Sequence, residues 1–132
     1  MSDDGLVTIA CDRSVGEAID RLETALRARG VTIFARIDHA AGAASVGMAL
    51  RPTEVLIFGN PKAGTPLMQD KQTVGLDLPL KMLAWQDADG KVWITYNDPT
   101  WLARRHRLDD TAGPAVEALA VVLANFAKAA AQ

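Results

Sequence analysis

A single cysteine, Cys11, in a chain of 132 residues removes two classes of protein at once. One thiol cannot close an internal disulfide, which excludes a stapled secreted scaffold, and it cannot assemble a multi-cysteine zinc site. An excess of charge is also missing, because 14 Lys and Arg stand against 16 Asp and Glu for a formal charge of -2. A general nucleic-acid binder needs a strong positive bias, so no nucleic-acid partner is expected. No apolar stretch approaches the roughly 20 residues of a membrane span, and Met1-Ser2-Asp3-Asp4-Gly5 lacks the basic start of a signal peptide. A cytoplasmic location without a membrane partner is the expectation. Repeats and linkers are lacking too, which leaves one domain over residues 1–132 held by its apolar core.

Hydrophobic residues, 49% of the sequence, supply that core. Leu6 to Cys11 is rich in β-branched residues and reads as a strand ending at Asp12-Arg13. Ser14-Val15-Gly16-Glu17 fits a capping box, the Ser14 hydroxyl accepting from the helix start and Glu17 reaching back to the Ser14 amide. Val15, Ala18, Ile19, Leu22, Ala25 and Leu26 form the buried stripe of that helix, and Gly30 stops it. Val31, Ile33, Ala35 and Ile37 then share one strand face, with Phe34 and Arg36 opposite. His39 to Leu50 contains a short helix, Glu54 to Phe58 a strand buried on both faces, and Thr65-Pro66 the N-cap and first position of another short helix. Leu80 to Gln86 and Lys91 to Asn97 flank Asp87-Ala88-Asp89-Gly90 as a hairpin. Pro99 to Arg107 reads as a short helix, and an apolar stripe from Val116 to Ala127 marks the last one. The expected fold is two-layer α+β, in the order β-α-β-(α)-β-α-β-β-α, with helices on a mixed sheet of about five strands.

Chemistry concentrates in Gly59-Asn60-Pro61-Lys62-Ala63-Gly64-Thr65, a glycine-bounded loop between a buried strand and a helix start. Glycines permit close backbone approach, helix-start amides face an anion, and Lys62 adds a point charge. The spacing is not that of a Walker loop, and the alternative is a tight turn whose glycines and prolines serve the backbone alone. Cys11 and Asp38-His39 end two strands that the first crossover makes parallel, at the sheet edge that ligands favour. If residues 39–50 also cross over, Asn60, Lys62 and Thr65 join them; if that segment reverses direction, the convergence fails. Cys11 and His39 then suggest a nucleophile and base, with Asp38 orienting the imidazole, against a buried thiol and a structural histidine. Arg104-Arg105-His106-Arg107 suits either phosphate or a solvated helix end. Trp85, Trp93 and Trp101 suit a stacking surface or core packing. Asp38-His39, Asp77 and Asp87 to Asp89 show no ligand spacing for a metal.

The residues from Arg51-Pro52-Thr53 through Phe58-Gly59-Asn60-Pro61-Lys62-Ala63-Gly64-Thr65-Pro66-Leu67-Met68, then Asp77-Leu78-Pro79-Leu80 and Tyr96-Asn97-Asp98-Pro99, carry a resemblance. The chain resembles the domain-of-unknown-function 302 family over nearly its whole length, Ile37-Asp38-His39 included. That resemblance implies a small α+β domain with dimers among its members, and it implies no activity, cofactor or catalytic residue. Three readings follow: a domain binding a small molecule or anion through Gly59, Asn60, Lys62, Gly64 and Thr65; an enzyme using His39 with Cys11 or Asp77; and an interaction module that pairs with a second copy.

Overall fold

The computed structural model describes residues 4–132. The strands are β1 (Leu6–Cys11), β2 (Thr32–Asp38), β3 (Thr53–Gly59), β4 (Leu80–Gln86) and β5 (Val92–Asn97), and the helices are α1 (Val15–Ala28), α2 (His39–Ser45), α3 (Pro61–Asp70), α4 (Pro99–Arg105) and α5 (Gly113–Ala131). Single 3-10 turns at Gln72–Leu76 and Asp110–Ala112 follow α3 and precede α5. The α+β fold is the one expected, and its elements follow the expected order with a second helix, α4, between β5 and the last one. The sheet, ordered β1-β5-β4-β3-β2, is antiparallel throughout instead of mixed. The first crossover does make β1 and β2 point the same way, but it carries the chain to the far edge of the sheet, and the later strands fill the gap as hairpin-like reversals.

The core forms where one sheet face meets α1 and α5. Leu56 and Phe58 of β3, Met82 of β4 and Ile94 of β5 are buried against Ile19, Leu22 and Leu26 of α1 and Leu123 of α5. Each such side chain contributes roughly 1.5–3 kcal/mol of transfer free energy, so this layer dominates the stability of the fold. At the start of α1 the Ser14 hydroxyl accepts from the Glu17 amide at 3.2 Å and donates to Glu17 Oε1 at 3.0 Å, so the box closes on the Ser14 hydroxyl, not its amide. A register shift between Ile33 and Ala35 turns Arg36 to the helix side and Ile37 to the other. Arg36 there donates to Asp20 Oδ1 at 2.6 Å and Glu54 Oε1 at 2.9 Å, tying α1 to the β2–β3 pair. Partial burial works against the Arg36 charge, and the two carboxylates more than offset it, holding the group above its ordinary value.

On the opposite sheet face no buried cluster forms among the described residues: Ile57, Leu83, Trp85 and Trp93 are half-buried, and Phe34 and Ile37 on β2 are exposed. Trp85 and Trp93 pair across the hairpin with ring centroids 6.4 Å apart. Trp93 Nε1 donates to Asp87 Oδ2 at 2.9 Å, so the hairpin loop carboxylate holds the aromatic pair in place. One expectation about the C-terminal part is corrected: Asp110–Ala131 is long and apolar enough, by length and composition, to cross a membrane. Alanine dominates that run and raises its average without forming a long stretch of large side chains. In the fold it is helix α5, which packs on the core through Val116, Leu123, Ala127, Ala130 and Ala131 while Val121 and Val122 are exposed.

Two glycines separate backbone strain from steric clash. Gly30 has φ +70 and open space where a Cβ would stand, whereas Gly5, at φ +77, faces the Trp101 ring at that position. Gly30→Ala is expected to cost about 1 kcal/mol from the left-handed backbone alone. Gly5→Ala adds overpacking for about 2–4 kcal/mol in total. Urea denaturation of the two variants checks the difference.

Candidate functional site

Strands β3 and β5 end at the same end of the sheet, where Gly59 hands the chain to α3. The helix begins at Pro61, five residues before the expected start, so Gly64, Thr65 and Pro66 lie inside it and Thr65 is not its cap. Asn60 is the cap: its Oδ1 accepts the Lys62 amide at 2.9 Å. The Ala63 and Gly64 amides both donate to the Asn60 carbonyl, at 2.9 and 3.1 Å, and Pro61 has no amide to give. The helix start therefore keeps its own donors, and its first turn leaves no free amide for an anion. Gly59 and Gly64 are not in the left-handed region, and a Cβ at either would make only ordinary contacts, at 3.5 Å to Phe34 and Pro79 or 3.4 Å to Leu78. Turn geometry does not require glycine at these positions.

What the start of α3 does offer is space. A cavity of about 240 Å³ lies on its Phe34 and Pro79 side, and another of about 380 Å³ lies on its Val122 and Phe126 side. Gly59, Asn60, Ala63, Leu67, Leu80 and Leu119 line both, so the two cavities are separated mainly by the inner face of α3. Apolar side chains dominate the walls; Asn60 and Thr65 supply polar atoms to the first, and Asn60 and Lys62 to the second. Lys62 is the one ionisable residue in either lining. Its side chain is exposed and makes no ion pair among the described residues.

The other candidates are not brought to this site. Cys11 and Asp38 end the two edge strands, at the end of the sheet opposite Gly59. Four strand spacings separate Cys11 from His39, on the order of 19 Å, so a thiol–imidazole pair does not form. The convergence fails because the segment after β2 reverses the chain. Asp38 Oδ1 accepts the Ala41 amide at 2.9 Å as the cap of α2, which commits it to the backbone. His39 is exposed in the first turn of that helix. Asp77 pairs with a different histidine: it accepts from His106 Nε2 and from Arg105 at 3.2 Å, while His106 Nδ1 lies 3.1 Å from Thr73 Oγ1. The His106 side chain is only 6% exposed. Sequence reasoning missed this cluster because its members are far apart in the chain; Arg105 and His106 looked like a solvated helix end. Among the described residues no three His, Cys, Asp or Glu side chains gather as a metal set.

Burial pushes the Cys11 thiol up from its ordinary value, opposed by a hydrogen bond that the Arg13 amide donates to the sulfur, with Asp12 adding to the rise. The folded value is above the unfolded one, so the thiol's contribution to stability is complete below the unfolded value and is lost as pH rises through the folded one. Alkylation of the folded chain by iodoacetamide is expected to be slow at neutral pH and to rise only above the usual thiol range. Mass spectrometry of the time course against the urea-unfolded chain checks it.

Known proteins share this architecture. The profile described as "Domain of unknown function DUF302" matches residues 7–126. The crystal structure of an uncharacterized conserved DUF302 protein from Bacillus stearothermophilus superposes with a TM-score of 0.83 over 96% of this chain and 98% of that one, at 21% identity, a likeness of fold. The chain is also 52% identical over 117 residues to proteins named Fluoride-specific ion channel FluC 1 from Brucella suis and from Brucella abortus. The match covers 89% of this chain but 46% and 43% of those proteins, so the chain spans less than half their length. The profile match, spanning nearly all of the sheet and its helices, places this chain in the DUF302 family.

Proposed function

We propose that the domain binds a small, largely apolar molecule at the start of α3, between that helix, the end of the sheet and α5. The observation that carries this reading is the pair of cavities sharing six wall residues. Ligand pockets are concave, mostly apolar and furnished with a few polar groups, in a size range of roughly 300–1,000 Å³. Gly59 and Gly64 keep the walls low, and Asn60, Lys62 and Thr65 stand at the rim as polar contacts. The uncharged fluorescent probe N-phenyl-1-naphthylamine is expected to bind at one site per chain. Leu119→Trp, which fills the shared wall, and Ala118→Phe, at an exposed position on the second cavity, should each weaken it at least tenfold. Binding indifferent to both substitutions would remove the reading.

The identity with part of the named fluoride channels favours a second, compatible reading: that the domain works beside a fluoride channel. Helix α5, the described helix with membrane-spanning length, packs one face on α1 and the sheet through Leu123, Ala127, Ala130 and Ala131 and leaves Val121 and Val122 exposed; that packed face favours an accessory role over a pore-forming one. The half-buried sheet face around Trp85 and Trp93 is the surface such an accessory, or a second copy, would use. Cells lacking the gene should grow less well on sodium fluoride than the parent, with growth restored by the intact chain. Equal growth would sink this second reading.

A further inference from the structure

We infer that the occupant of the paired cavities is a single-chain amphiphile with an anionic head, its tail under α3 and its head at Lys62. This deepens the apolar-ligand reading and rests on it. Shape points to a linear tail. The two cavities are not one round chamber; they are two lobes meeting at α3, where Ala63 and Leu67 of the helix line both. A linear chain can reach from the Phe34 lobe to the Phe126 lobe past Ala63, the smaller of the two, whereas a compact ring system fills one lobe and leaves the other.

The way α3 is held points in the same direction. Its C-terminal end is fastened: Asp70 Oδ2 accepts the Asp109 amide at 2.6 Å, and the next turn is tied by Asp77 to Arg105 at 3.2 Å and to His106. Its N-terminal half has no such tie, and within α3 only Leu67 is buried. Pro66 lies inside the helix and brings no amide to bond the carbonyl one turn earlier, so the first turn is joined to the rest by one hydrogen bond fewer. The segment between the lobes is thus the part of α3 best able to lift for a tail to enter.

Charge selects the head. No Asp or Glu lines either lobe, the first turn of α3 has no acidic residue, and Lys62 is an exposed ammonium on the wall of the larger lobe. An anionic head placed there gains an opposite charge without meeting a like one, and a flexible lysine stem can follow heads of different size. A cationic head would face the same ammonium unscreened.

Isothermal titration of the full chain with decanoate, 1-decanol and decyltrimethylammonium, each below its aggregation concentration, tests the inference. Decanoate is expected to bind at one site per chain, at least tenfold tighter than either of the others. Lys62→Glu should lower decanoate affinity at least tenfold and close the gap with decanol, and Ala118→Phe should weaken all three. Decanol binding as tightly as decanoate, or a preference that survives Lys62→Glu, would overturn the anionic head while leaving the apolar site standing. Failure of all three to bind, together with naphthylamine binding indifferent to Ala118→Phe, would overturn both.

Discussion

The antiparallel pairing of β2 with β3 decides where the rest of the chain can act. Because Asp38 stands opposite Glu54 and Thr32 opposite Gly59, β3 must run back along β2 and deliver Gly59 to the end of the sheet away from Cys11 and His39. The pairing is enforced from the helix side. Leu56 and Phe58 turn into the core under α1, and Arg36 bridges Glu54 and Asp20 across the same layer. A one-residue slip would put Leu56 and Phe58 in solvent and Val55 and Ile57 under the helices, so the register is held by the whole apolar layer. With it held, α3 has one place to go: across the end of the sheet, beside the first turns of α5.

That position explains why the start of α3 behaves differently from a phosphate-binding helix start. A helix that receives an anion leaves its first amides open. Here Asn60 takes the Lys62 amide with its side chain and two more with its carbonyl, so the donors are satisfied before any ligand arrives. Satisfied donors can sit beside apolar walls without the penalty of a buried unpaired group, of about 1–3 kcal/mol each. The same capping that disqualifies the site for amide-mediated anion binding makes it compatible with an apolar occupant. Polar character is left to side chains at the rim, where water can still reach them.

The features legible from the sequence were the local ones. β1, the stripe on α1 and the hairpin around Asp87 each depend on residues within a few positions of one another, and periodicity or turn chemistry marks them. Sheet order was not legible, because the same strand–helix–strand opening fits a neighbouring parallel pair or two edges of one antiparallel sheet, and only the intervening strands settle which. The bulge in β2 escaped for a related reason: strict alternation put Ile37 with Ile33, and only the pairing with β3 shows Arg36 taking the inner position. At the candidate site the structural roles differ from those expected, Asn60 capping the helix and Thr65 lying inside it. Asn60, Lys62 and Thr65 do stand at one place, whereas the cavities are made by Leu67, Leu80 and Leu119, apolar residues whose meeting is non-local and unmarked in the sequence.

Small residues at the α3 end of the sheet make most sense as the complement of that space. A Cβ on Gly75 would come within 3.2 Å of the Met68 sulfur, so the thioether would have to give by a few tenths of an ångström. Gly59 and Gly64 face no such crowding, and their backbone lies outside the left-handed region, so neither packing nor turn geometry accounts for them. Alanine at both would stiffen the unfolded chain, and at Gly64, inside α3, it would also favour the helix, the usual direction of a stabilising change. A chain that keeps glycine at two such positions forgoes that stability. Side chains added there would instead take up room on the Phe34 side of α3, where Met68, with its adaptable thioether, is the wall best able to move around an occupant. The helix is thus fastened at the end that borders α4 and carries fewer ties at the end that borders the cavities, the distribution of stiffness that the proposed entry of a ligand would use.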